Sequence, residues 1–276
     1  MTIHLPVSKY HGCGNDFLLI RKRYTDGIDL EKLITCACDR RSGIGADGFI
    51  IVEDSPLRMH FYNADGTRAP MCGNGIRCFA RFCIDEGITD SDCFEVITDA
   101  GVKTVNVISR EPFLVKIAMG QPDYSPSLLG IPNGTPLWEY PLEVNGTPLT
   151  LYSFFMSTVH TVCFVENTMD DSLLPLAEAA HEHPFFPNKT NFNLVQIVDE
   201  STIKMRTWER GAGLTLACGT GACSAALTAH KKGLCTSEVD VILPKGTLHI
   251  SIDKNENIFM TGPASRVSKG DYYHEC

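Results

Sequence analysis

Positive charge is in short supply: 24 Lys and Arg stand against 33 Asp and Glu, a formal net charge of −9. No local basic stripe offsets that balance, which argues against a protein that tracks a phosphate backbone. Long apolar runs are also missing. The most apolar stretch, LYSFFMSTVHTVCFV at 151–165, is broken by Ser153, Ser157, Thr158, His160 and Thr161 and is too short to span a bilayer. The opening MTIHLPVSKY has neither the charged start nor the continuous apolar core of a secretory signal. A cytoplasmic protein with no membrane or nucleic-acid partner is expected. Two chemistry-bearing loops are absent as well: G-x-x-x-x-G-K-[ST], which cradles phosphates, and G-x-S-x-G, which presents a nucleophilic serine. GIGADG (43–48) has dinucleotide-binding spacing, but it follows a predicted helix, LEKLITCACDRR, and precedes a predicted strand, FIIVED, the reverse of the order that fingerprint needs. His181-Glu182-His183 lacks the one-turn spacing of a zinc-binding H-E-x-x-H and reads as a solvated helix end.

What is present is the balance of a soluble globular enzyme, 43% hydrophobic and 21% charged, which excludes collagenous, disordered and low-complexity chains. A length of 276 residues suits two domains of roughly 140. There are twelve cysteines. A chain of this size without a signal has core enough to do without disulfides, so most of them read as small buried hydrophobes in a reducing compartment. The only close pair, Cys36-Ala37-Cys38, lacks C-x-x-C spacing, and no metal site is expected there.

An internal repeat separates two cysteines from the rest. Sliding the chain by 146 residues lays IVEDSPLRMHFY (51–62) on IVDESTIKMRTW (197–208), then MCGNG (71–75) on ACGTG (217–221), then Gly87 on Gly233, without a gap. Nine of 38 positions are identical over 50–87, where chance gives roughly two at ordinary composition. Each copy reads as a strand pair, a glycine-containing loop and a helix, followed by β-branched runs around a turn glycine. The result is α+β in class: two halves with a joint near Met119-Gly120-Gln121-Pro122.

In both copies a cysteine stands immediately before a Gly-x-Gly that opens the helix. First-turn N–H groups have no partner within a helix, and the dipole there is positive, so a thiolate is favoured and a substrate carboxylate finds a cradle. Two such helix ends, related by a repeat and facing each other across a cleft, set a sulfur on each side of a small substrate. That arrangement suits inversion of a carbon: one thiolate removes a proton and the opposite thiol delivers another. No cofactor or metal is required in principle.

MCGNGIRC (71–78) and ERGAGLTLACGTGAC (209–223), with KYHGCGNDF (9–17), GIGADG (43–48), FYNADG (61–66) and HPFFPNKTNFNLVQIV (183–198), resemble the signatures of diaminopimelate epimerase, a cofactor-independent two-cysteine amino-acid racemase family. The resemblance covers nearly the whole chain. It implies two pseudo-symmetric domains, each a mixed sheet or barrel wrapped around a central helix: residues 1–120, joined by a terminal strand at 264–276, and residues 121–263. It implies that Cys72 and Cys218 are the catalytic base and acid, and that Gly73, Asn74, Gly219 and Thr220 hold the reacting carboxylate through their N–H groups. It further implies that Asn15, Asn63, Asn191, Glu209 and Arg210 line the substrate pocket, with Thr158 and His160 in support. The implied activity is interconversion of LL- and meso-diaminopimelate, for lysine and peptidoglycan precursors, by a homodimer without cofactor or metal.

Three positions depart from the family pattern. Gly-Asn-Pro-His becomes Ser157-Thr158-Val159-His160, the acidic residue usual after Gly-Ala-Gly becomes Leu214, and a position sometimes held by glutamine is Gly48. All three touch the far end of the pocket. They leave open an amino-acid racemase of relaxed specificity that also turns over glutamate or another acidic amino acid. The same residues are compatible with a thiol redox protein that couples Cys72 with Cys218, and with an inactive amino-acid-binding module.

Overall fold

The computed structural model describes residues 2–275. Its chain divides into two compact units, Met1–Ala118 with Thr261–Cys276, and Met119–Met260. Strands dominate both, and among the described residues four α-helices accompany them: α1 (Leu30–Cys38), α2 (Gly73–Asp85), α3 (Leu174–His181) and α4 (Gly219–Lys231). Among the described residues no helix is long and apolar enough to cross a membrane.

In the first unit Thr2–Gly12 pairs antiparallel with Asn15–Arg21 and, along its other edge, with the terminal strand Ser265–Glu275. Asn15–Arg21 then runs parallel to Gly48–Asp54, which is antiparallel to Leu57–Asn63. Leu57–Asn63 is in turn parallel to Cys93–Thr98, itself antiparallel to Gly101–Arg110. The second unit repeats this order. Thr147–Phe155 is antiparallel to Val159–Phe164, which is parallel to Asn191–Asp199. That strand is antiparallel to Thr202–Glu209, which is parallel to Glu238–Leu243, itself antiparallel to Gly246–Ile252. The 146-residue repeat of the sequence is therefore a repeat of topology, and it extends to the strands flanking the aligned segment.

Each unit wraps its strands around one helix. α2 packs on Thr2–Gly12, Asn15–Arg21, Gly48–Asp54, Leu57–Asn63 and Ser265–Glu275, and α4 on Val159–Phe164, Asn191–Asp199, Thr202–Glu209 and the strands that follow it. Ten of thirteen residues are buried in each of these helices, the pattern of a helix covered on all sides. Both are thirteen residues long and both end alike. Gly87 and Gly233 adopt φ of +63° and +70°. The following N–H groups, of Ile88 and Leu234, donate to the carbonyls of Cys83 and Ala229, which satisfies the last turn in the way a left-handed C-terminal glycine allows. By contrast, α1 is amphipathic: it covers the sheet with Leu33, Ile34, Ala37 and Cys38.

Cys78, Cys83 and Cys223 are fully buried on the central helices, whereas Cys36 and Cys93 are exposed. Cys276 lies outside the described residues. The reading of His181 as solvated is corrected. It ends α3 in the interior, where its Nδ1 contacts the Thr190 carbonyl oxygen, because α3 is short enough that its last turn still faces the strand Asn191–Asp199. Among the described residues no three His, Cys, Asp or Glu side chains cluster as metal ligands.

Candidate active site

Cys72 is the N-cap of α2 and Cys218 the N-cap of α4, both with extended backbone, φ/ψ of −135°/124° and −118°/108°. The sequence dictates this locally. Glycine at the next position and again two further on lets the chain turn sharply into a helix, and the cap residue projects its side chain over the first-turn N–H groups. Sulfur takes the place usually filled by a Ser or Asp oxygen: the N–H of Gly75 donates to Cys72 Sγ at 3.4 Å.

The first unit surrounds Cys72 with a line of amides of fixed polarity. Arg77, wholly buried in α2, donates to Asn74 Oδ1 at 2.9 Å and to the carbonyls of Gly73 at 3.0 Å and Pro263 at 3.2 Å. Asn74 Nδ2 donates to Asn15 Oδ1 at 3.0 Å, and Asn15 Nδ2 donates to the Asp47 carboxylate at 2.7 Å. A guanidinium only donates and a carboxylate only accepts, so both amides are oriented from their two ends. Asn15 Oδ1 is thereby held 3.9 Å from Cys72 Sγ. Asp47 is anchored in turn by Arg40 at 2.7 Å, which gives the GIGADG loop its use: it supplies the carboxylate that ends the line. Asn63 is exposed, and its Nδ2 donates to Thr67 Oγ1 at 2.9 Å.

In the second unit Cys218 is buried, 5% exposed, with its sulfur 3.6 Å from Thr220 Oγ1. The sequence-based expectation of a low thiol pKa fails here. Burial, and then the Glu209 carboxylate beside it, push the Cys218 thiol well up, against the opposing pull of the Thr220 hydroxyl and the Gly221 N–H. Desolvation and a like charge outweigh a helix terminus, since dipole effects are commonly below ~2 kcal/mol. Glu209 also receives the Thr215 hydroxyl, and the Arg210 N–H donates to Asn191 Oδ1 at 2.7 Å. The Arg210 guanidinium reaches the Asn188 carbonyl at 3.2 Å and Thr158 Oγ1 at 3.5 Å. His160 Nε2 lies 2.9 Å from Thr220 Oγ1. Burial first, then the charge of Arg210, press its imidazole down to about 3, so it is neutral at physiological pH.

Without substrate, Cys218 is expected to react slowly with iodoacetamide at neutral pH. Glu209→Gln removes the neighbouring negative charge, lowers the thiol pKa and moves the alkylation profile to lower pH. Mass spectrometry of the Cys218 peptide reads this directly, and an unshifted profile would contradict the role given to Glu209.

The family model for diaminopimelate epimerase matches residues 7–125 and 153–267. The chain belongs to the diaminopimelate epimerase family. It is 37% identical over 278 residues to a diaminopimelate epimerase of Halothermothrix orenii, covering 97% of this chain and 98% of that one. A second relative, diaminopimelate epimerase 1 of a Nostoc species, is 40% identical over 279 residues, covering 96% and 99%. Solved structures share the fold at low identity. They include a phenazine biosynthesis protein of the PhzF family from Bacillus anthracis, with a TM-score of 0.68 at 14% identity and coverage of 97% and 98%. Another is a hydroxyproline epimerase from Agrobacterium vitis, with a TM-score of 0.67 at 11% identity and coverage of 98% and 92%.

Against the epimerase pattern, the three departures now have surroundings. Thr158 touches the Arg210 guanidinium, Leu214 is 42% exposed, and Gly48 is packed tight, with a Cβ there meeting the Phe61 ring edge and the Tyr62 carbonyl at 2.8 Å. A side chain at position 48 thus requires the strand Leu57–Asn63 to move. Sequence reasoning missed Arg77, Asp47, Asn193 and Thr207. The one signal for Arg77 is its place on α2 three residues after Asn74, one turn along the same face. Asn193 shares a strand face with Asn191, two residues apart.

Proposed function

We propose that this chain is an isomerase that interconverts LL- and meso-diaminopimelate by two-base proton transfer at the α-carbon, the activity its curated relatives are named for, within lysine and peptidoglycan precursor biosynthesis. The observation that carries this reading is the matched pair of cysteines at the N-caps of two helices made equivalent by the repeat. A thiolate of Cys72 takes the α-proton, forming S–H as C–H breaks, and the electron pair moves into the carboxylate. The Cys218 thiol gives its proton to the opposite face and is left as thiolate. The reverse reaction exchanges the roles. N–H groups of Gly73, Asn74, Gly219 and Thr220 hold the carboxylate as its charge grows. Arg210 takes the distal carboxylate and Glu209 the distal ammonium, with Asn15, Asn63 and Asn191 lining the pocket. The protein acts in the cytoplasm as a homodimer, without cofactor or metal.

Incubation with LL- or meso-diaminopimelate in deuterium oxide tests the proposal. Deuterium is expected at the α-carbon as the configuration inverts, with no cofactor added; an absence of exchange rejects it. Contact of Thr158, rather than an asparagine, with Arg210 supports a second reading in which specificity is relaxed. Formation of D-glutamate from L-glutamate, with added pyridoxal phosphate as a control, tests that reading, and turnover confined to diaminopimelate sinks it.

A further inference from the structure

Behind Cys218 lies a buried polar chain whose polarity can be read atom by atom. Asn193, on the strand Asn191–Asp199, has no exposed surface. One amide atom lies 3.0 Å from the Thr161 carbonyl oxygen and 3.2 Å from that of Asn191. Carbonyls only accept, so that atom is the amino nitrogen Nδ2. Oδ1 accepts from the Thr207 hydroxyl at 3.0 Å, consistent with the same orientation. The same Nδ2 faces His160 Nδ1 at 3.3 Å. The amino group has two protons for these three neighbours and its nitrogen cannot accept, so a ring N–H aimed at it would have no partner; the paired state is a neutral imidazole bare on Nδ1, sharing an amino proton with a carbonyl and carrying its own proton on Nε2. That nitrogen points at Thr220 Oγ1. The hydroxyl accepts from the ring, which leaves its one proton for Cys218 Sγ. Gly221 closes the arrangement. A Cβ there would meet Asn193 Oδ1 at 2.5 Å and Cys218 Sγ at 3.2 Å, so only glycine lets α4 pack this closely on the amide.

We propose that Asn193 is a positioning residue for proton transfer at Cys218: it fixes His160 as the Nε2-protonated tautomer and thereby makes the Thr220 hydroxyl a donor to the sulfur. When Cys218 gives its proton to the substrate carbon, the resulting thiolate receives the Thr220 O–H at the N-cap of α4. In the opposite direction the same donor holds the thiolate that takes the α-proton. The inference rests on reading Cys218 as acid and base. It adds what makes a buried sulfur beside a carboxylate able to carry charge, and a second buried residue, Thr207, helps to orient the amide that governs it.

Asn193→Asp replaces the amino donor by an acceptor of the same shape. The carboxylate draws the ring proton onto Nδ1, Nε2 becomes an acceptor, and the Thr220 proton turns away from sulfur. Thr220→Val removes the donor outright. Each is expected to lower kcat about 10- to 100-fold, the range for losing one hydrogen bond to a charged group, and Thr220→Ser to recover most of the loss. Because both changes break one chain, the double variant should be no slower than the slower single variant. Nitrogen NMR of histidine-labelled protein supplies the readout that a purely structural role would not move: His160 protonated on Nε2 in the parent, on Nδ1 in Asn193→Asp. Fully additive losses, a parent-like kcat in Thr220→Val, or a parent protonated on Nδ1 each overturn the inference. If Asn193→Asp folds poorly, the parent spectrum and the comparison of Thr220→Val with Thr220→Ser decide alone. A parent that exchanges no α-proton overturns the functional reading as well, whereas intact exchange with Nδ1 protonated overturns the positioning role by itself.

Discussion

Cys72→Ala and Cys218→Ala are each expected to reduce inversion of the α-carbon by about 10³-fold or more, within the contribution of a positioned acid or base. Inversion needs a proton taken from one face and another given to the opposite face, so neither sulfur can substitute for its counterpart. Alanine is the informative replacement because a serine hydroxyl can still relay a proton. Folding should survive both changes. The bond lost at the α2 cap, from the Gly75 N–H to Cys72 Sγ, is worth only ~1 kcal/mol by comparison with oxygen caps, and Cys218 contributes a small buried volume. Chiral chromatography of the products, beside a thermal melt, reads both quantities. Full activity in both variants would end the two-base mechanism.

Arg77→Ala is expected to cost about 3 kcal/mol of stability in the unit that carries α2. The side chain has no exposed surface, and its removal leaves the Gly73 and Pro263 carbonyls and Asn74 Oδ1 without these donors while opening a cavity. The gain from no longer burying a charge offsets part of this, which keeps the figure below a simple sum over the lost bonds. Arg77→Lys keeps the charge but replaces a planar fork by one compact ammonium that cannot reach three acceptors together, so it should fall between Ala and the parent. Calorimetry checks the order of the three proteins; a melt of Arg77→Ala indistinguishable from the parent would show that the amide line keeps its orientation without Arg77.

The repeat made much of this architecture legible. A gapless offset carried Cys72 onto Cys218 and Gly87 onto Gly233, and the two thirteen-residue helices begin and end where those pairs predict. What stayed hidden depends on register. Asp47 reaches Asn15 because Asn15–Arg21 runs parallel to Gly48–Asp54, and Asn193 reaches His160 because Val159–Phe164 runs parallel to Asn191–Asp199. Partners across parallel strands come from distant parts of the chain, and no local period announces them. Arg77 was illegible for another reason: an arginine in a helix ordinarily faces solvent, and only the enclosure of most of α2 makes it an interior donor. The expectation of an acidic thiol at Cys218 failed because a motif shows the helix end but not how deeply a side chain is covered.

That cover has a chemical consequence of its own. Peroxide attacks thiolates, and susceptibility rises with exposure. A sulfur kept protonated and 5% exposed is therefore poorly placed to become a sulfenic acid, while Cys36 and Cys93 meet oxidants at the surface. The same burial that makes Cys218 a reluctant base shields that one sulfur in an oxidising episode, whereas half-buried Cys72 does not share its cover.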